Sequence, residues 1–229
     1  MFVLDRATVA SLMFATASLI ASPLAAQAID AATDPAASSE RAADDAIRAL
    51  TDWVVASGDN NGSPFIVIDK VTARVFVFDA QSQFVAATPA LIGSAVGDDS
   101  VPGIGERKLS AIRPEERTTP AGRFVARLGT ATGNHEVLWV DYESSVSLHP
   151  IIAVRNEQRA QRLKSPSPSD NRITYGCINV PASFYAKVVR PLFAARSGVA
   201  YVLPETKSLT EAFPAFVTPA RAMQAQVSN

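Results

Sequence analysis

The sequence predicts a mainly β fold, a curled β-sandwich or open barrel with a few peripheral helices. Three observations carry this expectation. From Phe65 onward, short β-branched and aromatic runs alternate with turn residues. Only one long helical pattern follows them, over 182–195. The connections between runs are too short for repeated strand–helix–strand crossovers, which argues for a mainly antiparallel sheet. With 229 residues and 48% hydrophobic content, the chain has room for one core plus a leader and a tail. A net charge of −1, from 21 basic and 22 acidic side chains, sets up no overall field for nucleic acid or an anionic membrane, so no nucleic-acid partner is expected.

The elements follow in order. Residues 1–28 read as a signal peptide: Arg6 precedes an apolar stretch over 7–21, Pro23 breaks it, and Ala26 and Ala28 form a small-residue cleavage pattern. The stretch is shorter than the roughly 18 residues of a spanning helix. Residues 29–62 supply an amphipathic helix, with Ala43, Ile47, Leu50, Trp53 and Val54 at intervals of three and four, and then a Gly-Asp-Asn-Asn-Gly-Ser linker. The main domain spans 63–205, with strands expected at 65–68, 73–78, 84–86, 122–127, 136–142, 145–149, 177–180 and 199–203. A short polar helix over 156–164 is also expected. Two long loops, 93–120 and 149–174, have the length of lids or substrate clamps. The tail, 206–229, is expected to be peripheral.

Export makes the single cysteine informative. Cys177 cannot form an internal disulfide and must stay a thiol or be modified. A lone cysteine is otherwise a small apolar core residue, so its neighbours decide. An unassisted thiol, with a pKa of about 8.5, is little ionised at neutral pH, and a nucleophilic one needs a base. The chain has two histidines. His149 ends a strand-like run and precedes Pro150, where a strand gives way to a loop, whereas His135 sits in a turn; His149 is the better candidate base. Gly176, just before Cys177, lets a substrate carbonyl approach the backbone, and consecutive amides there could form an oxyanion hole. Of the basic residues between His149 and Cys177, most read as a solvated face. Arg172, five positions before the thiol, is the one expected near a substrate carboxylate.

The segment Thr174-Tyr175-Gly176-Cys177-Ile178-Asn179, preceded by His149, resembles the catalytic signature of YkuD-type L,D-transpeptidases. Thr118-Thr119-Pro120-Ala121-Gly122-Arg123-Phe124 is similar to the Thr-Pro-x-Gly-x-Phe segment that precedes the site in that family. The resemblance covers roughly residues 64–204. Two departures stand out: Tyr175 replaces the histidine of the Ser-His-Gly-Cys block, and Pro150 replaces a glycine that often follows the first histidine. The 28 positions from His149 to Cys177 also make the intervening loop an insertion. With tyrosine unable to act as a base at neutral pH, activation of the thiol falls on His149.

The resemblance implies an L,D-transpeptidase catalytic domain that forms peptidoglycan cross-links through a thioester on Cys177. It implies amides of Tyr175, Gly176 and Cys177 around the oxyanion, Thr174 and Asn179 lining the substrate site, and His149 oriented by a backbone carbonyl. Peptidoglycan stem peptides are the implied partner, with work outside the cytoplasm, in the periplasm or cell envelope, and no cofactor or metal. Two alternatives share the residues: a hydrolase that gives the acyl group to water, and an inert peptidoglycan-binding module.

Overall fold

The first strand of the main domain, Phe65–Asp69, is buried at every position, because it lies between two layers of core. Ile66 and Ile68 face one apolar cluster with Val75, Val77, Leu148 and Ile178. Phe65 and Val67 face another with Leu50, Val54 and Tyr201. The strand period of two sends alternate side chains to opposite layers. The computed structural model describes residues 35–216. The expected signal segment, 1–28, and the last part of the tail, 217–229, lie outside the described residues.

In chain order the elements are helix α1 (Pro35–Ser57) and strands β1 (Phe65–Asp69), β2 (Arg74–Phe78), β3 (Phe84–Pro89), β4 (Ile92–Gly93), β5 (Gly122–Ala131), β6 (His135–Asp141), β7 (Val146–Pro150), β8 (Arg172–Thr174), β9 (Ile178–Val180) and β10 (Gly198–Val202). Eight strands form one mixed sheet in the order β3-β2-β1-β10-β5-β6-β7-β9, and β4 pairs with β8 beside it. The mainly β class therefore stands. Antiparallel pairing dominates as expected, but β1 with β10 and β7 with β9 run parallel. Both parallel partners are reached by long excursions, which is what parallel pairing requires. Leu91, just past β3, exchanges two backbone hydrogen bonds of 2.8 Å with Asn179 of β9, so the two ends of the sheet curl toward each other.

Helix α1 forms where the apolar spacing predicts it. Ala43 is buried, Ile47, Leu50 and Val54 cluster with Phe65 and Tyr201, and Trp53 sets its ring edge-on to Tyr201 and Phe216. Before β10, consecutive turns of α, π and α helix span Ala182–Phe184, Tyr185–Val189 and Arg190–Ala194. The short helix expected over 156–164 shrinks to Arg159–Arg162, because Gln158 takes a left-handed φ of 49° and starts it late. The tail is less peripheral than expected. A turn of helix, Leu209–Ala212, is capped by Ser208 and Glu211 and carries Phe213 and Phe216 into the cluster beneath α1. Among the described residues, no helix is long and apolar enough to cross a membrane.

Candidate active site

Parallel pairing of β7 with β9 brings the candidate residues together. Leu148 is opposite Ile178 and both fill the core, so the residues on either side of them, Ser147 and His149 on one strand and Cys177 and Asn179 beside it, share the other face. Cys177 itself lies just before β9, in the turn from β8, and is partly exposed. Its Sγ is 3.7 Å from the Ser145 carbonyl and 3.8 Å from Ser147 Oγ. His149 is opposite Asn179, two positions along the ladder from Cys177, roughly 6.6 Å by strand rise.

The imidazole is held at both nitrogens. Nδ1 faces the Pro150 carbonyl at 2.8 Å; a carbonyl only accepts, so Nδ1 carries the proton. Nε2 is then the basic nitrogen, and Asn179 Nδ2 donates to it at 3.0 Å. Arg159 fixes that amide: its Nη1 donates to Asn179 Oδ1 at 2.8 Å, and its Nε is braced by Glu157 at 2.5 Å. Burial pushes His149 below the ordinary histidine value; the Pro150 bond opposes this, and the Arg159 charge adds to it. A neutral ring with a free-base Nε2 is the form a general base needs. Nε2 is thus capped by Asn179 rather than bonded to the sulfur.

The turn that carries the thiol is pinned from two sides. Thr174 Oγ1 donates to the Cys177 carbonyl at 2.7 Å and accepts from the Gly176 N–H at 3.1 Å. Thr119 Oγ1 donates to the Gly176 carbonyl at 2.9 Å and accepts from the Gly93 N–H at 2.9 Å. Gly176 has a φ of 125°, and a Cβ there would stand 2.6 Å from the Thr118 carbonyl, so only glycine lets the turn lie this close to the Thr118-Thr119 segment. Thr119 is in turn anchored by Lys70. That side chain is 1% exposed and donates to the Thr119 carbonyl at 2.9 Å, the Gly97 carbonyl at 2.6 Å and Asp98 Oδ1 at 2.6 Å.

Two expectations for individual residues change. The Gly176 amide is taken by Thr174, so among the three expected oxyanion donors only the Tyr175 and Cys177 amides are left without an acceptor among the described residues. Arg172, expected near a substrate carboxylate, is engaged within the fold. Its guanidinium pairs with Glu205, which is buried, and reaches the Lys70 carbonyl at 3.1 Å and the Gly93 and Ala95 carbonyls at 3.5 and 3.4 Å. Strand β8 runs beside β4, and Arg172 joins the buried ion network of Lys70, Asp98 and Glu205. Tyr175 lies under the Arg117 guanidinium, 4.1 Å from ring centroid to carbon.

Sequence reasoning passed over Ser147, although its place two residues before His149 puts it on the same face of a strand. It also left Arg159 among solvated cations, whereas the fold buries most of its side chain against Asn179. A cleft of about 740 Å³ is lined by Gly105, Glu106, Thr130, Trp139, Tyr142 and Ser145 among others, and the Ser145 carbonyl is the one that faces the sulfur. A second, of about 470 Å³, lies along 151–154 and 158–161 beside Arg159. Among the described residues, no group of three or more acidic, histidine or cysteine side chains could hold a metal ion.

No protein-family model and no curated protein sequence matches the chain. Solved structures similar to it include L,D-transpeptidase 1 of Mycobacterium tuberculosis, at 15% identity and a TM-score of 0.33, covering 61% of each chain. Another is an Enterococcus faecium L,D-transpeptidase, at 16% identity and a TM-score of 0.33, covering 62% of this chain and 50% of that one. A third is the helical cell shape determining protein Pgp2 of Campylobacter jejuni, at 14% identity and a TM-score of 0.40, covering 69% and 56%. The match thus spans roughly half to three fifths of the length of each of these solved chains. Residue roles in this protein rest on its own geometry.

Proposed function

We propose that the protein is an exported cysteine acyltransferase, an L,D-transpeptidase that cross-links peptidoglycan stem peptides through a thioester on Cys177. The observation that carries this reading is the sharing of one sheet face by a partly exposed lone thiol and an imidazole whose basic nitrogen is held by Asn179 of the strand that Cys177 precedes. A purely structural cysteine is expected in the core, whereas this one is partly exposed.

In the proposed reaction, His149 Nε2 takes the thiol proton and the thiolate attacks a stem-peptide carbonyl, forming a C–S bond. The Cys177 and Tyr175 amides hold the oxyanion. Collapse breaks the C–N bond, and the imidazolium returns its proton to the departing amine of the terminal residue, leaving the thioester. An amine of a second stem then attacks the thioester and gives its proton to His149; the C–S bond breaks, and the thiolate is reprotonated. The leader at 1–28 supports action outside the cytoplasm.

Incubation of the protein with purified disaccharide peptides, followed by mass spectrometry, tests this. Dimers lacking one terminal residue are expected. Shortened monomers without dimers would remove the transfer claim and leave a hydrolase on the same site; no change in any species would remove both.

A further inference from the structure

We propose that the cleft of about 740 Å³ is a saccharide site, which holds the amino-sugar disaccharide of a stem-bearing substrate while Cys177 works on the peptide. The identity of the sugar rests on the acyl-transfer reading; the class of ligand rests on the cleft itself. Two aromatic rings supply its apolar surface. Trp139 and Tyr142 stand 5.1 Å apart between centroids and 71° apart in plane, an angled pair of flat faces. Tyr142 is 74% exposed, so the described fold leaves its ring uncovered. Around the rings stand the carboxylates of Glu106 and Glu143 and the hydroxyls of Thr130 and Thr132, with no lysine, arginine or histidine on the wall. An ionised carboxylate only accepts hydrogen bonds, so the ligand must donate them. A pyranose meets both demands, since one face of the ring is C–H and packs on an aromatic ring, while its rim carries hydroxyl donors. An ammonium group also donates and also favours aromatic faces. It would fill a small part of a cleft whose volume lies within the roughly 300–1,000 Å³ of ordinary ligand sites.

The walls of the cleft are held together by the fold. Gly105 lies so close to the turn after β6 that a Cβ on it would stand 2.1 Å from the Glu143 carbonyl, an approach that needs glycine. Ser145 Oγ donates to the Gly105 carbonyl at 3.0 Å. Trp139 rests against Gly129, where a Cβ would come within 2.8 Å of the indole, so the ring is seated on bare backbone. A platform fixed in this way loses little freedom when it binds. The cleft also shares its face with the reaction. Trp139 pairs with Ser147 across β6 and β7, and Leu148 with Ile178 across β7 and β9, so Trp139, Ser147 and Cys177 follow one another on the same face of the sheet. Two strand spacings put the backbone of Trp139 roughly 10 Å from that of the thiol. Ser145, whose carbonyl faces the sulfur at 3.7 Å, also lines the cleft. Three extended residues cover roughly 10 Å. A stem with its sugar in the cleft therefore reaches Cys177 with a carbonyl a few residues along.

The first arm of the test titrates the full chain carrying Cys177→Ala with chitotriose, an N-acetylglucosamine trimer, by calorimetry. Saturable binding is expected, weakened about tenfold or more by Tyr142→Ala and by Glu143→Gln, the scale of one lost stacking ring or one lost charge-assisted bond. Tyr142 is exposed and Glu143→Gln keeps the shape of the side chain, so both variants should keep the parental melting temperature. The second arm compares turnover of a disaccharide peptide with that of the same peptide freed of its sugar. The parent should favour the disaccharide peptide about tenfold or more in kcat/KM, through KM, and Tyr142→Ala should turn over both alike. No binding of the trimer, or binding indifferent to both variants, overturns the proposal. Saturable binding of cadaverine without binding of the trimer assigns the cleft to a cation and overturns it too. Trimer binding by a protein that turns over neither peptide would remove the acyl-transfer reading and keep the cleft; turnover that ignores the sugar, with no trimer binding, would do the reverse.

Discussion

Cys177→Ala is expected to reduce turnover of stem peptides by at least about 10³-fold, because no other side chain in the chain can form the thioester. Cys177→Ser should do the same, since a serine hydroxyl is far less readily ionised than a thiol and the base held by Asn179 is tuned to the latter. Stability should hardly move. The sulfur is partly exposed and its polar contacts among the described residues are long, so the melting temperature is expected to stay within about 3 °C of the parent. Rate measurements paired with thermal melts check both halves. An unfolded Cys177→Ala protein would mean that the thiol serves packing.

Lys70→Met is expected to lower stability by about 3 kcal/mol, measured by urea unfolding. The reason lies in what Lys70 leaves behind. Asp98 would remain buried without its counter-charge, and the Gly97 and Thr119 carbonyls would lose their donor. The backbone amides of Glu205, Thr206 and Lys207, with the Thr206 hydroxyl, still bind Asp98, which keeps the loss toward the lower end for a broken buried pair. Burial alone would raise the Asp98 carboxyl, but the Lys70 and Thr206 bonds outweigh it and hold the group well below the usual carboxylate range. A carboxyl depressed on folding stabilises above its unfolded value of about 3.9 and loses that contribution as pH falls through the folded one. The parent should therefore lose stability in acid more steeply than Lys70→Met. Because Thr119 joins this network to Gly176, turnover should fall with it.

The strands of the main domain were legible where runs are long enough to alternate. Phe65–Asp69 and Val146–Pro150 lie where their apolar spacing puts them, and Leu50 and Val54 mark the buried face of α1. The two short strands β4 and β8 were not, since two or three residues carry no measurable period. Proximity in sequence misled for Arg172: five positions before the thiol, it sits on a strand paired to β4, where Glu205 from the far end of the domain meets it. Phe213 and Phe216 looked like tail because a single helical turn has no amphipathic pattern to read. The choice of Cys177 and His149 as candidates came from residue chemistry, but the interposed Asn179 and its hold by Arg159 depend on how the loop between them folds back, which residue order does not encode.

The activation of one thiol by one imidazole is tested most directly by single-turnover acylation, following the intact mass of the protein after rapid acid quench, across pH, for the parent and His149→Ala. Burial favours the neutral ring, so the parent should hold its acylation rate on acidification until below the ordinary histidine value of about 6.5. His149→Ala should acylate about 10²- to 10⁴-fold more slowly and show no inflection there. Equal rates with the same acid limb in both proteins would contradict the account.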